Sequence, residues 1–166
     1  MTVNVHILLP DIRSAYNVGS IFRSADCFGV QKIYLSSTTP RPTDRFGRST
    51  SGPQKEIAKT ALGAEKSVAW KYVEKATDVI KKAKKDGFTI IAVEQSEKST
   101  NITTLKKILK AEKIQNTLII MGNEVEGVSK EILKLSDYVL EIPMQGKKES
   151  LNVSVCAGVV MYELLK

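Results

Sequence analysis

The chain has 166 residues, 42% of them hydrophobic and 26% charged, and its 25 Lys and Arg against 18 Asp and Glu give a formal net charge of +7. That length suits one domain with a core of its own, expected over residues 1–166. No apolar run approaches a membrane span, and the N-terminus lacks a basic stretch followed by a long apolar one, so a cytoplasmic location and no membrane partner are expected.

The basic balance draws polyanions by counterion release and steering, although Lys-rich surfaces serve solubility as well. Cys27 and Cys156 sit in apolar, helix-like contexts without metal-ligand spacing and are expected as reduced core residues. The one histidine, His6, lies in "TVNVHILL" and reads as a strand residue. Without a second His, Ser/His/Asp or Cys/His catalysis and a His-rich metal centre are disfavoured, so no metal is expected.

In chain order, "VNVHILL" (3–9) predicts a strand and 15–28 a helix, with Asn17 as its N-cap and Gly29 as its stop. "KIYLSS" (32–37) predicts a second strand, followed by the Pro-, Gly-, Ser- and Arg-rich loop 38–53. A helix near 54–62, a short strand in "VAWKYV" and the helix "ATDVIKKAKKDG", closed by Gly87, come next. The lysines 81, 82, 84 and 85 of that helix read as a solvated face.

"FTIIAVEQ" (88–95) predicts a buried strand, and "TTLKKILKAE" a helix with Leu105, Ile108 and Leu109 in register. "NTLIIMG" (116–122) is another buried strand, and "SKEILKLS" a short helix capped by Ser129. "YVLEIPM" predicts the last strand and 151–165 the last helix, capped by Ser150 and apolar all round, hence buried. This alternation implies an α/β fold, a mainly parallel sheet with helices on both faces.

Such sheets bind ligands beyond the carboxyl ends of their strands. Three polar, glycine-containing segments fall there, "SAYNVGSIFRSA", "GNEVEGVS" and "QGKKESLNVS", with "EQSEKST" as a candidate fourth wall. Neither G-x-G-x-x-G nor G-x-x-x-x-G-K-[ST] occurs, which disfavours the usual dinucleotide and P-loop sites. In the first segment Gly19 and Arg23 lie one turn apart. Either a ligand approaches the backbone beside a guanidinium that grips phosphate, or a solvated Arg neighbours a packing Gly; the residues alone favour the second. In the second, Gly122 and Gly127 would free backbone amides, and Glu124 would accept from a ligand hydroxyl or pair with Arg23; a plain surface turn is the alternative. In the third, burying Asn152 without partners would cost about 1–3 kcal/mol, so it needs a reason to be there.

Taken in this order, "NVGSIFRSA", "IIMGNEVEGVS" and "IPMQGKKESLNVSVCAGVVMYE" resemble the three motifs of the SpoU/TrmH family of RNA 2′-O-ribose methyltransferases, within the SPOUT superfamily. The likeness covers nearly the whole chain and points to the minimal, catalytic-domain-only members, without an added N-terminal RNA-binding domain. It departs at Val125-Glu126, where "GNEGxGLS"-like sequences place a glycine and a variable residue.

The resemblance implies a C-terminal trefoil knot, an exception to unthreaded chains, with S-adenosylmethionine as methyl donor, a homodimer, and no metal. It implies catalytic or organising roles for Asn17, Arg23, Glu124, Ser150 and Asn152. It implies cofactor contacts at Val93, Glu94, Gln95, Gly122, Asn123, Ile142, Met144, Leu151 and Asn152. Arg23 is the family's candidate for activating the ribose hydroxyl, although guanidinium is a poor base at neutral pH. Arg41, Arg45 and Arg48 of the 38–53 loop, with Arg23, are the candidate RNA contacts; a mobile surface loop is the alternative. The implied activity is 2′-O-methylation of a structured RNA, tRNA first and rRNA second. The competing class is a non-catalytic RNA-binding module, which would not need the polar set Arg23, Glu124, Ser150 and Asn152.

Overall fold

The structure is a computed structural model that describes residues 3–50 and 52–166. Among these, the strands β1 (Asn4–Pro10), β2 (Lys32–Ser36), β3 (Ala69–Val73), β4 (Thr89–Val93), β5 (Thr100–Asn101), β6 (Asn116–Met121) and β7 (Tyr138–Glu141) form one sheet. Their order is β3-β2-β1-β6-β4-β7-β5, and every pairing is parallel. The central strands read as continuous apolar runs because both faces are covered. In β1, Val5, Ile7 and Leu9 pack with one core cluster while Leu8 packs with the other.

The larger cluster takes in helices α1 (Ala15–Phe28), α2 (Gly52–Ala61), α3 (Ala64–Ser67), α5 (Ile102–Ala111) and α7 (Val153–Leu165). The opposite face is covered by α4 (Ala76–Lys85) and α6 (Lys130–Leu135). The expected α/β class is thus observed, with helices on both faces. Two short elements, β5 and α3, add to the expected list.

Helix α1 begins two residues before Asn17: Ser14 is its N-cap, accepting from Asn17 N–H at 3.3 Å, and Gly29 closes it in the left-handed conformation. Capping by Ser14 leaves the Asn17 amide free for a distant partner. Gly19 is a packing residue: an added Cβ would lie 2.1 Å from Thr60 Oγ1 and 2.4 Å from the Ile57 carbonyl oxygen, so α2 rests directly on the α1 backbone.

Helix α7 corrects two expectations. Its N-cap is Asn152, not Ser150, because the Asn152 side chain accepts from Ser154 N–H at 2.9 Å. Nor is it buried all round. Val153, Ala157, Val160 and Met161 enter the core, while Val155, Val159 and Tyr162 form an exposed apolar stripe at helical spacing. Cys27 is exposed rather than in the core, since its helix turns that face outward, and Cys156 is half-buried; both are free thiols. The lysines on α4 are exposed, with Lys82 paired to Asp86 and Lys84 to Asp137.

Candidate functional site

The carboxyl ends of β1, β4, β6 and β7 open onto one cleft of about 1150 Å³. Its walls include segments singled out in the sequence, Val93–Gln95 at the end of β4, Gly122–Val128 after β6, Ile142 and Met144 after β7, and Ser150, Leu151, Val153 and Cys156 at the start of α7, whereas no residue of "SAYNVGSIFRSA" lines it. Every expected cofactor contact except Asn152 lines it. Gln95 Nε2 donates to the Glu149 carbonyl at 2.7 Å, tying the "EQSEKST" wall to the approach of α7.

The turn after β6 is built around Asn123. Its N–H and carbonyl exchange hydrogen bonds with Gly127, and its Oδ1 accepts from Val125 N–H at 2.8 Å and Glu126 N–H at 3.0 Å. This side chain closes the turn without a glycine at 125, which accounts for the Val125-Glu126 departure; Val125 projects into solvent at the tip. Asn123 Nδ2 also donates to the Asp11 carbonyl, anchoring the turn to the end of β1.

Glu94 holds the turn from the other side. Its Oε2 accepts from Val128 N–H at 2.7 Å and its Oε1 from Gln95 N–H at 2.8 Å. Gly127, at φ 68°, sits so close that an added Cβ would fall 2.0 Å from Glu94 Oε2. Sequence reasoning placed Glu94 by its backbone and missed this clamp. Burial, then the nearby Glu94 charge, pushes the Cys156 thiol up to about 11.

Glu124 leaves the turn toward α1, not toward Arg23. Its Oε2 accepts from Arg13 N–H at 2.9 Å, and its Oε1 from Ser14 N–H at 3.1 Å and Asn17 Nδ2 at 3.0 Å. The carboxylate therefore caps the start of α1, where backbone N–H groups and the helix dipole favour negative charge. Burial pushes the Glu124 carboxyl up, and the bonds from Arg13, Asn17 and Ser14 outweigh it and hold the group below its usual range. Asn17 Oδ1 in turn accepts from Asn152 Nδ2 at 3.2 Å. One chain, Glu124–Asn17–Asn152, thus joins all three motif segments and sets the start of α7 against the start of α1.

Arg23 stands apart. It is exposed on α1, does not line the cleft, and has no hydrogen-bond or ion-pair partner among the described residues. In the 38–53 loop, Arg41 lies over the Tyr72 ring at 3.9 Å. Arg48 is bound to Asp44 at 2.9 Å, which partly neutralises it. Arg45 has no carboxylate partner among the described residues. Among those residues, no group of three or more His, Cys, Asp or Glu is placed to hold a metal ion, and no helix is long and apolar enough to cross a membrane.

The chain is similar in sequence and fold to known proteins. A tRNA (guanosine(18)-2'-O)-methyltransferase of Aquifex aeolicus is 28% identical over 160 residues, covering 95% of this chain and 66% of that protein. The crystal structure of the A. aeolicus TrmH/SpoU tRNA modifying enzyme matches with a TM-score of 0.78 at 26% identity, over 99% of this chain and 75% of that one. An AdoMet-bound rRNA methyltransferase from Sinorhizobium meliloti shares the fold, with a TM-score of 0.80 at 22% identity over 99% of this chain and 56% of that one. The chain spans less than two-thirds of the length of the curated relatives it matches. Residues 4–162 match the profile of the SpoU rRNA Methylase family, and the chain belongs to that family.

Proposed function

We propose that this protein transfers a methyl group from S-adenosylmethionine to a ribose 2′-OH of a structured RNA, with tRNA the first candidate and rRNA the second. The observation that carries this reading is the Glu124–Asn17–Asn152 chain on the rim of the cleft. It spends three polar side chains on fixing the geometry of a ligand cavity, which a pure RNA-binding module would not require.

The cleft suits the cofactor chemically. Val93, Ile142, Met144 and Leu151 offer apolar surface to an adenine, and the Gly122 segment offers backbone groups to polar edges. When bound, S-adenosylmethionine supplies an electrophilic methyl group on a sulfonium. The chain's own residues divide the remaining work. Glu124, Asn17 and Asn152 satisfy one another and are positioning residues. Ser150, which lines the cleft, and the unpaired Arg23 guanidinium are the groups left to meet the ribose. Guanidinium stays protonated at neutral pH, so Arg23 orients the hydroxyl and offsets charge, with an RNA phosphate assisting, and the proton passes to solvent.

Arg23 lies outside its own chain's cleft, and the α7 stripe of Val155, Val159 and Tyr162 is bare, with Tyr16 of α1 also exposed. Both features support a homodimer in which this face is covered and Arg23 of one protomer serves the site of its partner, and a cytoplasmic location belongs to the same reading. The C-terminal knot belongs to the same reading, with α7 tucked through a loop formed by the preceding segments.

The test is Arg23→Ala, assayed for methyl transfer to bulk tRNA and rRNA and for S-adenosylmethionine affinity by calorimetry. Methyl transfer is expected to be lost with cofactor affinity changed less than about twofold. Loss of cofactor binding would contradict the assigned role.

A further inference from the structure

The 38–53 loop contains a feature that phosphate contact does not explain. Phe46 is 64% exposed, unusual for so large an apolar ring, and two guanidiniums lie over it, Arg45 at 4.8 Å and Arg48 at 4.9 Å. The turn that presents it is closed from within. Asp44 Oδ1 accepts from Phe46 N–H at 2.8 Å and Arg48 N–H at 2.9 Å, while Asp44 Oδ2 accepts from Arg48 Nε at 2.9 Å. Backbone bonds from Gly47 N–H to the Asp44 carbonyl and from Asp44 N–H to the Arg48 carbonyl complete it, with Gly47 at φ 76°. The Asp44–Arg48 clamp holds the ring out at the surface instead of letting it fold onto the core.

The root of the loop is joined to the site. Thr39 Oγ1 is buried, donates to the Leu9 carbonyl at 2.7 Å and accepts from Ile12 N–H at 3.0 Å. That ties it to the β1–α1 connection whose Arg13 and Ser14 amides hold Glu124. Pro42 is buried, and its carbonyl accepts from Ser49 Oγ at 3.1 Å. Phe46 is four residues beyond Pro42, so it lies within about 14 Å of that root.

Resting on the reading of the protein as an RNA methyltransferase, we propose that Phe46 with its two flanking guanidiniums is a stacking platform for one unpaired base of the RNA. An exposed aromatic ring with planar guanidiniums over it offers ring and guanidinium faces on which an unstacked base stacks, and every base has a π-face to offer. Charge complementarity selects the occupant: Arg41 and Arg45 have no carboxylate partner among the described residues and flank the ring in sequence, so neighbouring phosphates are accommodated on the same loop. A fully paired helix keeps its bases stacked and cannot use the ring.

Stacking and phosphate contact separate by their salt response, because only the second releases counterions. The experiment measures binding of wild type, Phe46→Ala, Phe46→Trp and Arg45→Ala to bulk tRNA and to a blunt, fully paired 16-bp RNA duplex, from 50 to 300 mM NaCl. Phe46→Ala is expected to weaken tRNA binding about 5- to 150-fold with an unchanged salt slope. Its duplex affinity stays at the wild-type value, and Phe46→Trp retains tRNA binding. Arg45→Ala is expected to lower the salt slope by about one unit. Wild-type tRNA affinity in Phe46→Ala, an equal loss on the duplex, or a change in oligomeric mass, which would make the ring a subunit contact, overturns the proposal. Wild-type-like Phe46→Ala binding alongside active methyl transfer removes the platform alone. Phe46-dependent binding without any methyl transfer by wild type removes the enzymatic reading alone.

Discussion

Replacing Glu124 by Gln probes the junction of the three motifs with almost no change of shape. The two carboxylate oxygens serve three donors: Arg13 N–H on one, and Ser14 N–H and Asn17 Nδ2 on the other. An amide has one oxygen and one NH₂, so in either orientation at least one donor faces another donor. The bonds that survive pass from a charged to a neutral acceptor, a difference of about 1 kcal/mol each in a buried setting. Glu124 is exposed and water replaces part of what is lost, which brings the net cost to about 1–2 kcal/mol. For a domain of this size each kcal/mol lowers Tm by about 2–4 °C, so Glu124→Gln is expected to melt about 2–8 °C below wild type at pH 7 by differential scanning calorimetry.

The pH dependence has a definite sign. The folded-state carboxyl lies below its ordinary value of 4.5, so its contribution is fully present above that value and is lost as pH falls through the lowered one. The Tm gap is therefore constant from pH 8 to about pH 5 and closes below that. Equal melting at pH 7, or a gap that persists unchanged to pH 3, would refute the reasoning.

Two further outcomes follow from the packing. Gly19→Ala drives a Cβ into Thr60 Oγ1 and the Ile57 carbonyl oxygen; it is expected to lose about 1–3 kcal/mol in urea unfolding, and a neutral result would mean that α1 and α2 do not meet there. At pH 8, iodoacetamide followed by mass spectrometry is expected to modify exposed Cys27 and spare Cys156, whose thiol is raised to about 11; equal labelling would contradict the half-buried placement.

What the sequence disclosed and what it withheld divide along the range of the forces involved. The parallel sheet was legible because runs such as "NTLIIM" bury both faces, and the loops beyond β1, β4, β6 and β7 were legible because that topology sends ligands to them. The caps at Ser14 and Asn152 were misassigned to Asn17 and Ser150, since in each stretch two good capping residues compete and tertiary contacts decide. Asn17 is used by Glu124 and Asn152, 107 and 135 residues away, and no local pattern carries that. Gly19 had two readings until Ile57 and Thr60 supplied the neighbour. The bare stripe on α7 was unreadable for a different reason: an apolar surface for a partner and an apolar core face have the same composition.

The most direct test of the account is the chemical identity of its product. Purified protein is incubated with methyl-labelled S-adenosylmethionine and, separately, bulk tRNA and rRNA, and the RNA is digested to nucleosides and resolved by chromatography with mass detection. The account predicts label in a 2′-O-methylated nucleoside, absent when Arg23→Ala replaces wild type. Label in a base-methylated nucleoside, or no transfer to either RNA, would contradict it.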